Sequence, residues 1–245
     1  MLERLKEHGF EVEFTSHAEA IMLHDFPELI DELERALLSI SLPITEIIGG
    51  GGGEAKMTQR LRRGLAAMQW TKHNFELKKI VDGIPKESIS HEIDHVRRAV
   101  SGVFALEVEW NNKDPFFDRD LENFKRLHAE GAISLGGIIT RGAAMQAEMR
   151  ERVEQFAVDR GIQDFAGLAD FGAGSPTTPQ RNQIEAEIGR GSTFVRAWSR
   201  KFTADKFGMA TTHWNKLQDR VHRGVGNPCP LILIGLPASI IDMST

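Results

Sequence analysis

Apolar residues recur at the spacing of an amphipathic helix in several stretches of the chain. The clearest stretch is 27–41, where Pro27 suits the first turn of a helix. Its apolar positions at helical spacing are Leu29, Ile30, Leu33, Leu37 and Ile40. Helical patterns also occur at 54–68, 116–130, 143–159 and 211–222. We therefore expect a helix at each of these five stretches.

Three further stretches have the patterns of β-strands. Residues 103–110 alternate strictly, which places Glu107 and Glu109 on one side and the large apolar side chains on the other. Residues 132–140 predict a second strand, and the apolar run at 230–236 is typical of a strand buried on both faces of a sheet. Because strands and helices alternate, the sequence predicts an α/β fold with a central mixed β-sheet flanked by helices.

Residues 160–210 fit neither pattern. They are rich in Gly, Thr and Arg and show no clear element, so we interpret the region of about 150–210 as an insertion into a single domain that covers residues 1–245. Further upstream, five glycines at 49–53 are not followed by the Gly-Lys-Ser/Thr of a phosphate-binding loop. They predict a flexible connector.

The composition indicates a globular protein and not a membrane or disulfide-rich one. The chain has 245 residues, of which 41% are hydrophobic and 27% charged, and this length suffices to bury a core. No stretch reaches the roughly 18 apolar residues of a membrane helix, and the first residues lack the apolar segment of a signal peptide. A single cysteine, Cys229, excludes an intrachain disulfide and a cysteine metal cluster. We expect a cytoplasmic protein.

Charge is distributed unevenly along the chain. The net charge is −5, but residues 1–34 carry −8, whereas residues 56–80 carry +6 and residues 181–223 carry +5. Basic segments on an acidic chain can bind a polyanion locally. Two solvated helix faces would explain the same composition.

One short segment matches a zinc-binding pattern. His91-Glu92-Ile93-Asp94-His95 has the H-E-x-x-H spacing of zinc peptidases. On a helix, His91 and His95 would bind zinc from one face and Glu92 would act as the general base. The longer form of the pattern fails, because Arg98 stands where glycine is required. A zinc metallopeptidase is one alternative for the function.

Three acidic residues in and before the predicted strand at 103–110 indicate a different metal chemistry. Glu107 and Glu109 project from the same side of the predicted strand, and Asp94 precedes them on the chain. Carboxylates that converge on one point can hold Mg²⁺, which also binds the scissile phosphate of a nucleic acid. The order Asp, spacer, Glu-x-Lys is found in metal-dependent nucleases, and here Glu109 takes the place of the lysine. A strand with one solvated face would also explain the two glutamates.

Four short blocks follow one another along about two thirds of the chain. They are Ile93-Asp94, Leu106-Glu107-Val108-Glu109-Trp110-Asn111-Asn112, Gly136-Gly137-Ile138-Ile139-Thr140-Arg141-Gly142, and the run from Asn227 to Leu236. In their order and approximate spacing the chain resembles the type II restriction endonucleases of the BglII/BstYI group, which is related to BamHI. BglII-like enzymes have Gln at the position of Glu109, whereas BamHI-like enzymes have Glu.

The resemblance implies a restriction-endonuclease-like core and a defined reaction. The enzyme would hydrolyse double-stranded DNA at a short palindrome with Mg²⁺ and leave 5′-phosphates. Asp94 and Glu107 would bind the metal, and Glu109 would orient or deprotonate the attacking water. A homodimer is expected, because one site per subunit cuts both strands of a palindrome by two-fold symmetry.

The residues that follow the two central strands would contact DNA. In the related enzymes the position of Asn111 and Asn112 reaches base edges in the major groove, where Asn suits adenine. Lys113 would contact phosphate, and Arg141 would contact guanine or phosphate. The composition of 111–115 is also that of an ordinary turn. A DNA-binding module without catalytic activity is therefore a third hypothesis, beside the endonuclease and the peptidase.

Overall fold

The computed structural model describes residues 1–50 and 53–244. They form a six-stranded mixed sheet, a short two-stranded ladder, and helices on both faces of the larger sheet. The strands are β1 (Glu11–Thr15), β2 (Leu42–Pro43), β3 (Thr71–Val81), β4 (Ile84–Arg98), β5 (Val103–Glu109), β6 (Leu135–Arg141), β7 (Leu231–Leu236) and β8 (Ile241–Asp242). The helices are α1 (Glu3–Glu7), α2 (Ala18–Asp25), α3 (Pro27–Leu38), α4 (Ile44–Ile48), α5 (Lys56–Ala67), α6 (Phe116–Ala129), α7 (Ala143–Asp159), α8 (Phe165–Ala169), α9 (Thr178–Gly189), α10 (Phe194–Lys206) and α11 (Trp214–His222).

The central strands of the large sheet are parallel and its outer strands are antiparallel. The strand order is β1-β7-β6-β5-β4-β3, in which β5, β6 and β7 run parallel to one another. Nearly every side chain of these three strands is buried, as expected for strands covered on both faces. The C-terminal ends of β5, β6 and β7 therefore meet at one edge of the sheet.

The core is divided by the sheet into two layers. α6 and α11 pack on one face, and the other long helices pack on the opposite face. Gly136 of β6 permits the close approach of α6, because a Cβ atom at this position would lie 2.9 Å from Phe124 Cδ2. α6 is in this way fixed against the part of the sheet that carries the acidic residues of β5.

The α/β fold and most of its predicted elements are confirmed. The helix predicted at 27–41 is α3, and the helices predicted at 54–68, 116–130, 143–159 and 211–222 are α5, α6, α7 and α11. The strands predicted at 103–110, 132–140 and 230–236 are β5, β6 and β7. No described helix is both long enough and apolar enough to cross a bilayer.

Two regions differ from the sequence prediction. Residues 160–210, which we expected to lack clear elements, contain α8, α9 and α10. Residues 71–98 form the β3–β4 hairpin, which the sequence pattern did not predict. The interpretation of about 150–210 as an insertion into a single domain stays a prediction. The flexible connector predicted at 49–53 falls partly on residues 51 and 52, which lie outside the described residues.

Candidate active site

Two glutamates at the end of β5 lie on the face of the sheet that α6 covers. Glu107 and Glu109 alternate with the apolar residues of the strand, as predicted, and they share a face with Ala105, which packs in the α6 layer. Their exposed fractions are only 4% and 3%. The alternative of a solvated strand face is therefore wrong. Burial of two carboxylates is costly and calls for a compensating partner.

Asp94 lies next to Glu107 on the neighbouring strand. Its backbone N–H donates to Glu107 Oε1 at 3.4 Å. The register of β3 and β4 shifts by one residue here, so that two residues of β4 stand opposite Lys72 alone, as in a β-bulge. The Asp94 carboxylate is half exposed and lies 3.2 Å from Lys72 Nζ, which also contacts Glu92 at 2.7 Å. The bulge thus adds a cation that the strand motif itself does not contain.

A fourth carboxylate comes from α6 and was not predicted. Asp120 is fully buried, and Arg119 Nη2 contacts both Asp120 Oδ1 at 2.7 Å and Glu109 Oε1 at 3.5 Å. In the sequence, Asp120 stands three residues after Phe117 and four before Phe124, on the apolar side of the helix. An acidic residue at a core position of an amphipathic helix was the signal that could have identified it.

Burial, and then mutual repulsion, raises the pKa values of these carboxyl groups. Burial is the main cause that raises the pKa of Glu109 to about 8, and the negative charge of Asp120 adds to it. Burial, followed by the charges of Asp120 and Asp94, raises the pKa of Glu107 well above its usual value. Burial also raises the pKa of Asp120. The site therefore disfavours the charged form of these groups unless a cation binds beside them.

The donor atoms of this cluster fit a hard divalent cation. All of them are carboxylate oxygens, the ligands that Mg²⁺ prefers. Asp120 Oδ2 is buried and has no hydrogen-bond partner among the described residues. Over residues 1–50 and 53–244, however, no three His, Cys, Asp or Glu side chains already stand at metal-binding distances. The chemistry of the donors supports a cation, and its binding requires the carboxylates to draw together.

The segment that follows β5 is clamped to the residues before α11. Asn112 receives a hydrogen bond from Thr212 N at 2.9 Å through its carbonyl, and its own N–H donates to Thr212 Oγ1 at 3.0 Å. The Asn112 side chain also donates to Glu109 Oε2 at 2.6 Å. Asn112 and Lys113 are exposed, whereas Asn111 is half-buried. These three residues thus lie together beside the carboxylates.

Arg141 is not brought to the surface with them. It ends β6 with no exposed side-chain area, and its Nη2 donates to Thr211 Oγ1 and to the Thr212 carbonyl, both at 2.7 Å. The guanidinium lies over the rings of Trp110 and Phe207 at 5.7 and 5.0 Å. In this structure Arg141 supports the segment that clamps Asn112.

Comparison with protein families agrees with this geometry. The model of the family described as restriction endonuclease BglII/BglIII matches residues 10–236. The chain belongs to this family. This restriction endonuclease is therefore a site-specific enzyme that hydrolyses DNA, and its family suggests a divalent metal cofactor. No curated protein sequence matches the chain.

The two alternatives to an endonuclease are not supported. The zinc-peptidase interpretation is wrong, because His91 and His95 lie on strand β4 and not on a helix. Four residues span roughly 13 Å along a strand, which is too far for two ligands of one zinc ion. The hypothesis of a DNA-binding module without catalytic activity is not supported, because the members of the matching family are restriction endonucleases.

Proposed function

We propose that this restriction endonuclease cuts both strands of duplex DNA at a short palindrome with Mg²⁺ and leaves 5′-phosphates and 3′-hydroxyls. The observation that carries the proposal is the group of buried or half-buried carboxylates at one edge of a parallel sheet, on Asp94, Glu107, Glu109 and Asp120. A buried acidic group of this kind has no structural benefit without a cation.

Asp94 and Glu107 are the proposed Mg²⁺ ligands. When bound, the ion polarises the scissile phosphate and makes the attacking water more acidic. Glu109 is the proposed base: its pKa of about 8 belongs to the site without a cation, and a bound cation would lower it, so that the ionised carboxylate can accept a proton near neutral pH. The water oxygen then bonds to phosphorus, the bond to the 3′-oxygen breaks, and that oxygen takes a proton from solvent. Asn112 and Arg119 hold the two Glu109 oxygens in place.

Lys72 is the proposed replacement for the lysine that the strand motif lacks. Its ammonium group is 3.2 Å from Asp94, and its hydrogen bonds to Glu92 and Asp94 raise its pKa, so it is charged at neutral pH. A fixed positive charge at this place would stabilise the negative charge that develops on the phosphate.

The exposed segment after β5 is the proposed DNA-reading element. Asn111 and Asn112 would contact base edges and Lys113 would contact phosphate. For Arg141, direct contact with guanine stays a prediction that requires the guanidinium to leave its buried place. Its hydrogen bonds to Thr211 and Thr212 support a positioning role, in which Arg141 holds the residues that bind Asn112.

The assembly we propose is a homodimer, because a palindrome presents the same scissile bond twice by two-fold symmetry. The predicted cytoplasmic location stays a prediction. Digestion of a DNA of known sequence with Mg²⁺, followed by sequencing of the fragment ends, tests the proposal. Ends that share one palindromic sequence and carry 5′-phosphates are expected. Random ends, or cleavage that proceeds in EDTA, would contradict it.

A further inference from the structure

A cavity lined mainly by arginines lies in the helical segment that the catalytic proposal does not use. Its volume is about 520 Å³, and it lies where α7, α9 and α10 approach one another. The lining residues are Arg150, Glu187, Arg190, Ser192, Arg196 and Arg200. None of them is apolar, so the cavity is unsuited to a hydrophobic ligand.

The positive charge of this cavity is poorly compensated. Arg200 is 3.7 Å from Glu187. Arg150, Arg190 and Arg196 are exposed and have no ion-pair partner among the described residues. A solvated helix face would not require arginines from α7, from α10 and from the residue that follows α9 to meet at one place. Ser192 lies two residues before α10, so the positive end of the dipole of that helix is near the cavity.

The cavity lies on helices that pack together just after the C-terminal end of β6. α7 begins directly after β6, and α10 packs against it in the opposite direction, with Gln146 Nε2 donating to the Phe207 carbonyl at 2.7 Å. Arg150 is seven residues into the helix from Ala143, which corresponds to roughly 10 Å at 1.5 Å per residue. This length along α7 corresponds to about three base pairs of duplex at 3.4 Å per step.

We infer that this arginine-lined cavity binds backbone phosphates of the DNA that flanks the recognition sequence. The inference rests on the proposed function and adds a second contact region to it. Phosphate contacts carry no base information, so the cavity contributes affinity and orientation and leaves the recognition sequence unchanged. Each phosphate that is neutralised adds about 0.9 to the slope of log affinity against log salt concentration.

The double variant Arg150→Ala/Arg196→Ala tests the inference. Binding is measured in EDTA over a salt series, with a duplex that ends two base pairs outside the recognition sequence and one that extends ten base pairs on each side. For the long duplex, the slope of log affinity against log salt concentration should become shallower by about two. The variant should therefore lose roughly tenfold less affinity than the wild type between 50 and 200 mM salt. The short duplex should bind unchanged. Arg35→Ala, on an exposed helix position paired with Asp31, is the matched control.

An unchanged slope on the long duplex would overturn the inference. Titration with inorganic phosphate tests whether the cavity instead binds a small phosphorylated molecule. Saturable phosphate binding that the double variant loses, with no change in the salt slope of DNA binding, would assign the cavity to such a ligand and contradict the DNA assignment. Failure of the proposed function can be distinguished from failure of this inference. A wild-type protein that cuts no DNA would contradict the proposed function, and its DNA binding can still be compared with that of the variant over the salt series.

Discussion

At the scale of single residues, the candidate active site contains buried carboxylates, whose burial is unfavourable. The sequence indicated that Glu107 and Glu109 share one side of a strand, and the structure confirms this. It did not indicate that both are buried or that Asp120 joins them, because those facts depend on how α6 packs against the sheet. Lys72 was missed for a similar reason, since only the bulge in the β3–β4 hairpin brings it to Asp94.

The raised carboxylate pKa values predict how stability depends on pH. Between the unfolded value near 4.5 and the folded value of about 8 for Glu109, the folded protein binds more protons than the unfolded chain. Its free energy of unfolding therefore decreases as pH rises through this window, by an amount on the order of a few kcal/mol. Denaturant unfolding in EDTA at several pH values measures it.

The variant Glu109→Gln tests this effect, because the amide does not titrate and no longer raises the pKa of the neighbouring Glu107. We expect a smaller loss of stability between pH 6 and pH 8.5 than in the wild type. Equal losses in the two proteins would mean that Glu109 does not retain its proton in the folded state.

Lys72 provides a second prediction at this scale. Lys72→Met should lower kcat by roughly 100-fold with little change in DNA affinity, because the charge acts on the developing transition state. Lys72→Arg should recover part of the rate. Lys6→Met, at an exposed helix position, is the control. A loss in affinity with kcat unchanged would show that Lys72 only binds DNA.

At the scale of elements, amphipathic helices and buried strands could be predicted because burial on one side leaves a period in the sequence. The β3–β4 hairpin has no such period of apolar residues, since its outer half is exposed on both faces. Its available signal was the Asp82-Gly83 turn between two β-branched residues. In α9 only Ile184 is buried, so its clearest sequence signal was the capping box that begins at Thr177.

The clamp between the segments at 111–113 and 210–212 predicts an effect on recognition. Thr212→Val keeps the side-chain shape but leaves the Asn112 N–H without its acceptor, which should cost about 1 kcal/mol of stability. Discrimination between matched and mismatched sites should fall, because the segment that carries Asn112 is held less firmly. Thr71→Val, at an exposed strand position, controls for the substitution. Unchanged discrimination between matched and mismatched sites would refute a positioning function of the clamp.

At the scale of the whole molecule, charge is distributed unevenly over the elements. The acidic residues of 1–34 lie in α1, β1, α2 and α3, whereas Arg196 and Arg200 of the basic segment 181–223 reach the cavity from α10. Uneven charge of this kind can orient a polyanion on approach.

Two-fold symmetry is the main prediction at this scale. The protein should sediment at twice its chain mass of 27.4 kDa. Mixed dimers of wild type and Glu107→Ala should nick plasmid at the recognition sequence without linearising it, because each subunit cuts one strand. A monomeric mass on and off DNA, or linear product from mixed dimers at the wild-type rate, would argue against one site per subunit.

The central claim is that buried carboxylates around Glu107 cut DNA with a divalent cation. Its most direct test compares Glu107→Ala with Glu122→Ala, at a partly exposed glutamate of α6, in cleavage with Mg²⁺ and in gel-shift binding without it. The account predicts that Glu107→Ala binds the recognition sequence and does not cut it, while Glu122→Ala does both. Cleavage by Glu107→Ala at the wild-type rate would contradict it.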